Sequence, residues 1–383
     1  MAVTAERFFE TQHTPSQVKS AILCNYFMAW SSIMTKGARQ RIIGYLDLFA
    51  GRGRFEDGAE STPFLIIRRA VKDVTLRSAL KTFFNDKDAS MISALQYQIE
   101  ALDGIGDLAY APRFSHSAVV PEIANSLADF RVIPTFLFAD PFGYMGISLR
   151  LLKQLLEHPK SEALIFFNTN RINAGITNEF VREHIDALFG TKRAEAVRSK
   201  VANLSGDERE HVILDSFQDG LKEIGFRFVL RFRFLSQSAD RTSHHLVYCT
   251  RHQLGEKKMK DVMDRYSVRS FDGVPLFEIP RDEFGQGSLF DAHPLPPVDL
   301  AEQLMERFAG KASTLAEIVG QHSPGTQFVE RNYRAALEHL IEGGRVTCDP
   351  PAEKMGFRQG KRIWPSGTRV VFPVSRRGGT TWG

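Results

Sequence analysis

The chain is poor in cysteine and in long apolar runs. Its three cysteines, Cys24, Cys249 and Cys348, are far apart and odd in number. That leaves neither a disulfide framework nor a Cys-x-x-Cys metal knuckle, so all three read as small buried thiols. No apolar stretch approaches the roughly 18 residues that span a bilayer. Glu6, Arg7, Glu10 and Lys19 stand where a signal peptide would be apolar, so a cytoplasmic protein is expected. His244 and His245 lack further ligands at useful spacing, and no metal is expected. Internal repeats are also lacking.

What is there is an ordinary globular composition, 43% hydrophobic and 25% charged over 383 residues, enough for two to three domains. Much of the heavy use of phenylalanine, 30 residues, must be core. The net charge of +4 is unevenly placed: residues 345–383 hold eight basic residues against Asp349 and Glu353. A basic terminal block on a near-neutral body points to a polyanion partner, or else to a solvated tail.

Periodicity divides the chain into strand and helix units. Residues 16–33 read as a helix capped at Ser16. Residues 44–50 form a short apolar strand running into Gly51-Arg52-Gly53, and a helix restarts at Thr62-Pro63. Further strands are expected at 81–86, 111–117, 135–140 and 163–168, separated by helices at 90–102, 120–128 and 148–156. That alternation implies a parallel sheet. Helices are expected between 178 and 224, followed by a strand at 226–234 that alternates phenylalanine with arginine and pairs antiparallel with 246–249. The divisions are a sheet domain over 1–285 with a helical insertion at about 175–224, a linker at 286–298, and a three-helix domain with a β-wing over 299–383, the winged-helix pattern.

Two strand ends carry the candidate chemistry. At the first, Asp47-Leu48-Phe49-Ala50-Gly51-Arg52-Gly53 lets the backbone turn sharply and approach a ligand beside a helix N-terminus. A pyrophosphate is disfavoured: Glu56 replaces the third glycine of a dinucleotide fingerprint, and Asp57 follows it. The form resembles the first motif of class I S-adenosylmethionine methyltransferases, whose sheet also ends in an antiparallel pair. That resemblance implies S-adenosylmethionine as cofactor, held by Asp47, Phe49, Gly51 and Gly53. It also implies a ribose-binding acid at the end of the second strand, Asp86 or alternatively Asp88, and His116 beside the adenine. Helix capping is the competing reading for either acid.

At the fourth strand, Asp140-Pro141-Phe142-Gly143-Tyr144 is similar to the Asp-Pro-Pro-aromatic motif of methyltransferases acting on amino groups of bases, with Phe142 in place of the second proline. The resemblance implies that Asp140 and Pro141 hold the acceptor while Phe142 or Tyr144 stacks on it. A turn capped by Asp140 is the alternative. Asn168, Asn170 and Arg171 follow the fifth strand and can line the same pocket or cap a helix.

The segments 45–63, 136–173, 257–267 and 330–346 together resemble the three-Cys-motif partner proteins, although Arg52 stands where that family more often has proline. The resemblance implies a Rossmann-like class I methyltransferase sheet with a C-terminal winged helix, and a functional link to a radical-type protein bearing three cysteines. Nucleic acid, DNA or RNA, is the expected partner. The candidate contacts are Arg231 and Arg233 on the Phe/Arg strand, Arg331 and Arg334 on the third terminal helix, and Lys361 and Arg362 in the basic block. The expected activity is methyl transfer to a base. The alternative is a non-catalytic DNA-binding regulator whose sheet domain senses a ligand.

Overall fold

The computed structural model describes residues 15–36, 42–54, 60–235, 242–267, 298–358, 361–365 and 367–374, with the short pieces 270–271, 274–275 and 277–279. All but the last residue of the linker expected at 286–298, the terminal residues 375–383, and Glu56 and Asp57 lie outside the described residues; Val298 already begins a helix. Two compact units form, one of residues 1–266 with 278–286, the other of residues 267–277 with 287–383.

The first unit is a mostly parallel α/β sheet, in the order β10-β6-β7-β5-β4-β1-β2-β3. Its strands are β1 (Ile43–Asp47), β2 (Leu80–Asn85), β3 (Arg113–Ser115), β4 (Thr135–Ala139), β5 (Glu162–Phe167), β6 (Phe228–Leu235), β7 (Thr242–Thr250) and β10 (Glu278–Ile279). Among the described strands of this sheet, only β7 runs antiparallel to its neighbours, β5 and β6. This is the expected Rossmann-like sheet, and the antiparallel pair expected at its edge is β6 with β7, although β10 adds to β6 and takes the edge itself. All five residues of β1 and of β4 are buried, the pattern of strands covered on both faces.

One face is covered by α1 (Pro15–Thr35). Its Tyr26, Phe27 and Trp30 all pack around Phe136 of β4, with ring centroids 5.7–6.0 Å apart. The alternate residues Leu46, Leu137, Ala163 and Ile165 face a second core, which includes α7 (Leu149–Leu155) and the helical excursion between β5 and β6. That excursion consists of α8 (Thr169–Gly175), α9 (Arg182–Phe189), α10 (Thr191–Val201) and α11 (Gly206–Glu223). The helix expected at 120–128 is two short turns, α5 (Ile123–Ser126) and α6 (Ala128–Arg131), because Leu127 leaves helical geometry between them. Between β1 and β3 lie α2 (Thr62–Ala70), α3 (Val74–Ala79) and α4 (Ala89–Glu100), and α12 (Gln253–Tyr266) follows β7.

The second unit contains β8 (Ser270–Phe271) paired with β9 (Val274–Pro275), and then three helices, α13 (Val298–Arg307), α14 (Leu315–His322) and α15 (Glu330–Glu342). A three-stranded antiparallel sheet joins β11 (Ala312–Thr314), β15 (Arg369–Val371) and β12 (Thr347–Asp349). The hairpin of β13 (Phe357–Arg358) and β14 (Lys361–Arg362) lies between β12 and β15 in the chain. This is a winged helix, closed over Leu300, Leu304, Phe308, Tyr333, Leu337, Leu340 and Phe372. No helix among the described residues is long and apolar enough to cross a membrane.

Candidate active site

A cavity of about 800 Å³ opens at the carboxyl ends of β1, β2 and β4, where open α/β sheets place their ligands. Asp47, the last residue of β1, is buried and accepts the Phe49 N–H at 3.1 Å. Burial pushes its carboxyl up to about 8 against the pull of that N–H, with the charges of Asp140 and Asp86 raising it further and Lys19 opposing them. Gly51 takes φ +62 at the turn, where a Cβ would be strained, and Gly53 lies so close to α4 that a Cβ would stand 2.5 Å from Gln98 Oε1. The first glycine therefore lines the cavity and the second seats the loop on a helix.

Asp86, just past β2, accepts the Gly51 N–H through Oδ2 and the Asp88 N–H through Oδ1, both at 2.9 Å. The two strand ends are tied further by Asn85. Its buried amide donates to the carbonyls of Leu48 and Ser117 and accepts the Ser117 N–H. This clamp joins β1, β2 and the segment after β3. Asp88 caps α4, accepting from the Ser90 and Met91 N–H groups. It lines the cavity rim, but its hydrogen bonds are those of a cap.

At β4, Asp140 is ion-paired with Lys19 of α1, their side chains 26% and 15% exposed. The Lys19 ammonium also sits 4.8 Å above the Phe166 ring. Phe142 lines the cavity and is 64% exposed, with the Arg171 guanidinium 3.8 Å over its ring. Pro141 is buried. Lys19 and His184 are lining residues that sequence reasoning did not single out. A signal for Lys19 exists in hindsight: Ser16, Lys19 and Ser20 share one polar face of a helix that otherwise buries Val18, Ile22, Leu23 and Tyr26.

Several expectations need correction. His116 is exposed and does not line the cavity; Ala118, Val119 and Val120, just beyond it, do. Tyr144 is half-buried against Gly175 and close to His184, so it supports α8 and α9 and leaves Phe142 as the aromatic of the motif that lines the cavity. Asn168 caps α8 by accepting the Arg171 N–H, and Asn170 is exposed without lining the cavity. Arg231 and Arg233 are not an open phosphate-binding row. Arg231 pairs with Asp215 at 2.7 Å, and Arg233 lies 3.6 Å from Asp207 and 3.9 Å from Glu210, all acids of α11. His245 is buried between Thr169 and Glu210, and burial lowers it to about 3, which keeps the ring neutral.

In the winged helix, Arg331 is exposed at the start of α15, and Arg334 is half-buried and bonded to Glu330 at 2.8 Å. Arg362 lies over Phe357 in the β13–β14 hairpin, and Lys361 begins β14. Among the described residues no group of three His, Cys, Asp or Glu side chains could hold a metal ion.

A family model described as a GMT-like wHTH domain matches residues 278–353. No curated protein matches the chain. Among solved structures, a Legionella pneumophila str. Philadelphia 1 protein of the DUF519 family is 10% identical, covering 62% of this chain and 86% of its own, with a TM-score of 0.38. A Galdieria sulphuraria protein assigned as a sarcosine dimethylglycine methyltransferase is 12% identical, covering 61% and 87%, with a TM-score of 0.27. Likenesses of this degree carry no weight for the site, whose case rests on its own residues.

Proposed function

We propose that the first unit is an S-adenosylmethionine-dependent methyltransferase acting on a base of nucleic acid, and that the winged helix grips the polymer. The observation that carries this reading is the convergence of Gly51, Asp86 and Asp140 on one cavity large enough for a nucleoside with its amino-acid tail. The residues fit the cofactor. Asp86 is fixed by two backbone N–H groups and offers its remaining lone pairs to ribose hydroxyls. Phe49, Met91 and Val119 supply apolar walls for an adenine, and the open space around Gly51 lets a ligand approach the backbone.

When bound, S-adenosylmethionine supplies an electrophilic methyl group on a sulfonium, so the protein's work is placement. Asp140 accepts a hydrogen bond from the nucleophile and aims its lone pair into the cavity. Phe142 presents one ring face to the acceptor while Arg171 covers the other and steadies the ring. A base in a duplex would be flipped out to reach this depth, and a single strand would enter directly.

Charge supports the wing as the main polymer contact. Along α15, Arg331 and Arg334 are offset by Glu330, Glu338 and Glu342, whereas the wing sequence 347–371 counts five basic residues, Lys354, Arg358, Lys361, Arg362 and Arg369, against Asp349 and Glu353. The resemblance to three-Cys-motif partner proteins is part of this proposal.

The test is calorimetric binding of S-adenosylmethionine, followed by transfer of labelled methyl to DNA and RNA. Asp140→Ala is expected to abolish transfer while the protein still binds S-adenosylhomocysteine. Donor binding without transfer to any nucleic acid would favour a ligand-sensing regulator, and no donor binding would end the proposal.

A further inference from the structure

Lys19 pairs with Asp140, the acid assigned to the acceptor, through the carboxylate oxygen Oδ2. Lys19 is the cation of the α1 wall, with Ser16 and Ser20 on the same helical face and the Phe166 ring beside it. The other lining cations are differently placed. Arg52 lies against Met91 of α4, and Lys87 is exposed next to Asp86.

With the ribose at Asp86, the amino-acid tail of a bound donor would be received by the rest of the cavity lining, at the ends of β1 and β4. The tail carries a single anionic group, the α-carboxylate. It would arrive at a wall lined by Asp47 and Asp140, where an unpaired carboxylate would meet the Asp140 charge and be desolvated at high cost. Lys19 is the group there that can receive it, and the carboxylate it already holds belongs to Asp140.

We infer that Lys19 is the anchor for the donor's α-carboxylate and that Asp140 occupies that anchor until the donor arrives, an inference that rests on the methyl-donor reading above. Exchange of one carboxylate for another keeps Lys19 paired throughout, and the ammonium and sulfonium that the donor brings would offset the charge of the freed Asp140 carboxylate. Its consequence is order. The donor's carboxylate displaces Asp140, and the freed carboxylate then accepts from the nucleophile, so the acceptor site is completed only after the donor is in place.

Three probes separate the possibilities by calorimetry on the full chain: S-adenosylmethionine, decarboxylated S-adenosylmethionine, which keeps the sulfonium and amine, and 5′-methylthioadenosine, which lacks the whole tail. Lys19→Gln is expected to weaken S-adenosylmethionine about tenfold or more while leaving the decarboxylated probe within about twofold, and Lys19→Arg to restore most of the difference. Asp140→Asn, which removes the competitor, is expected to tighten S-adenosylmethionine by about threefold or more with no such gain for the decarboxylated probe. Retained binding of the tail-less probe certifies that each variant is folded. Equal losses of the two sulfonium probes in Lys19→Gln would overturn the anchor, and unchanged or weaker S-adenosylmethionine binding in Asp140→Asn would overturn the exchange. Failure of all three probes on the unaltered protein would instead overturn the methyl-donor reading itself.

Discussion

Two acids lie buried at opposite ends of the same sheet, and they are served very differently. Glu162, the first residue of β5, accepts hydroxyl groups from Tyr26 at 2.5 Å and from Tyr248 and Thr250 at 2.8 Å. Asp47, the last residue of β1, accepts one backbone N–H at 3.1 Å and a distant Tyr45 hydroxyl at 3.5 Å, and it opens on the cavity. Burial raises both, Glu162 to about 7 and Asp47 to about 8. Three hydroxyl donors restrain the first, while two neighbouring acids push the second higher. A buried acid held by three hydroxyls inside the protein is architecture; one with fewer partners beside a cavity and other acids is prepared for a ligand.

The largest effect that would sharpen this contrast is at the amino end. Glu162→Ala strands the hydroxyls of Tyr26, Tyr248 and Thr250. It is expected to lower stability by about 3 kcal/mol in urea unfolding while leaving donor affinity of the folded protein unchanged. An equal loss of donor affinity would break the distinction between the two ends. At the carboxyl end, Asp86→Ala is expected to do the converse, weakening S-adenosylhomocysteine about 30-fold, or about 2 kcal/mol, with a smaller change in stability.

Next comes the response to pH. Because both carboxyls are raised by folding, each contributes stability that is complete below its ordinary range and fades as pH rises, through about 7 for Glu162 and about 8 for Asp47. Asp47→Asn is therefore expected to flatten the decline in unfolding midpoint between pH 7 and 8, and Glu162→Gln to flatten only the part below 7. His245 acts in the opposite direction, losing stability as pH falls from 6.5 toward 3. The smallest effect is expected at Asp88, whose side chain caps α4. Asp88→Ala should lower the melting temperature slightly and leave donor affinity intact, and a donor defect matching that of Asp86→Ala would refute its reading as a cap.

Much of this was legible along the chain because the signals are local. A fully apolar strand ending in Asp47 and a glycine turn, or in Asp140-Pro141, states its own place at a sheet's carboxyl end. The α15 helix and the β12–β15 pair were equally readable from period and glycine stops. Errors arose where a side chain's partner is distant in sequence. Arg231 and Arg233 alternate as a free row would, but α11 folds Asp207, Glu210 and Asp215 onto them. His116 gives way to Val119 because Asn85 pins the chain at Ser117, so the cavity wall begins only beyond that clamp. Tyr144 turns toward Gly175, where the absence of a side chain makes room for its ring.

By itself the sequence determined the layered α/β unit, the winged helix and the strand ends that gather the acids, since periodicity and turn chemistry act over a few residues. Only the tertiary structure decided which charges are already partnered: that Glu162 is held by three hydroxyls, that Arg231 is paired, and that Lys19, 121 residues away in the chain, holds Asp140. Electrostatic partnership depends on distance and burial in space, and neither has a period in the sequence.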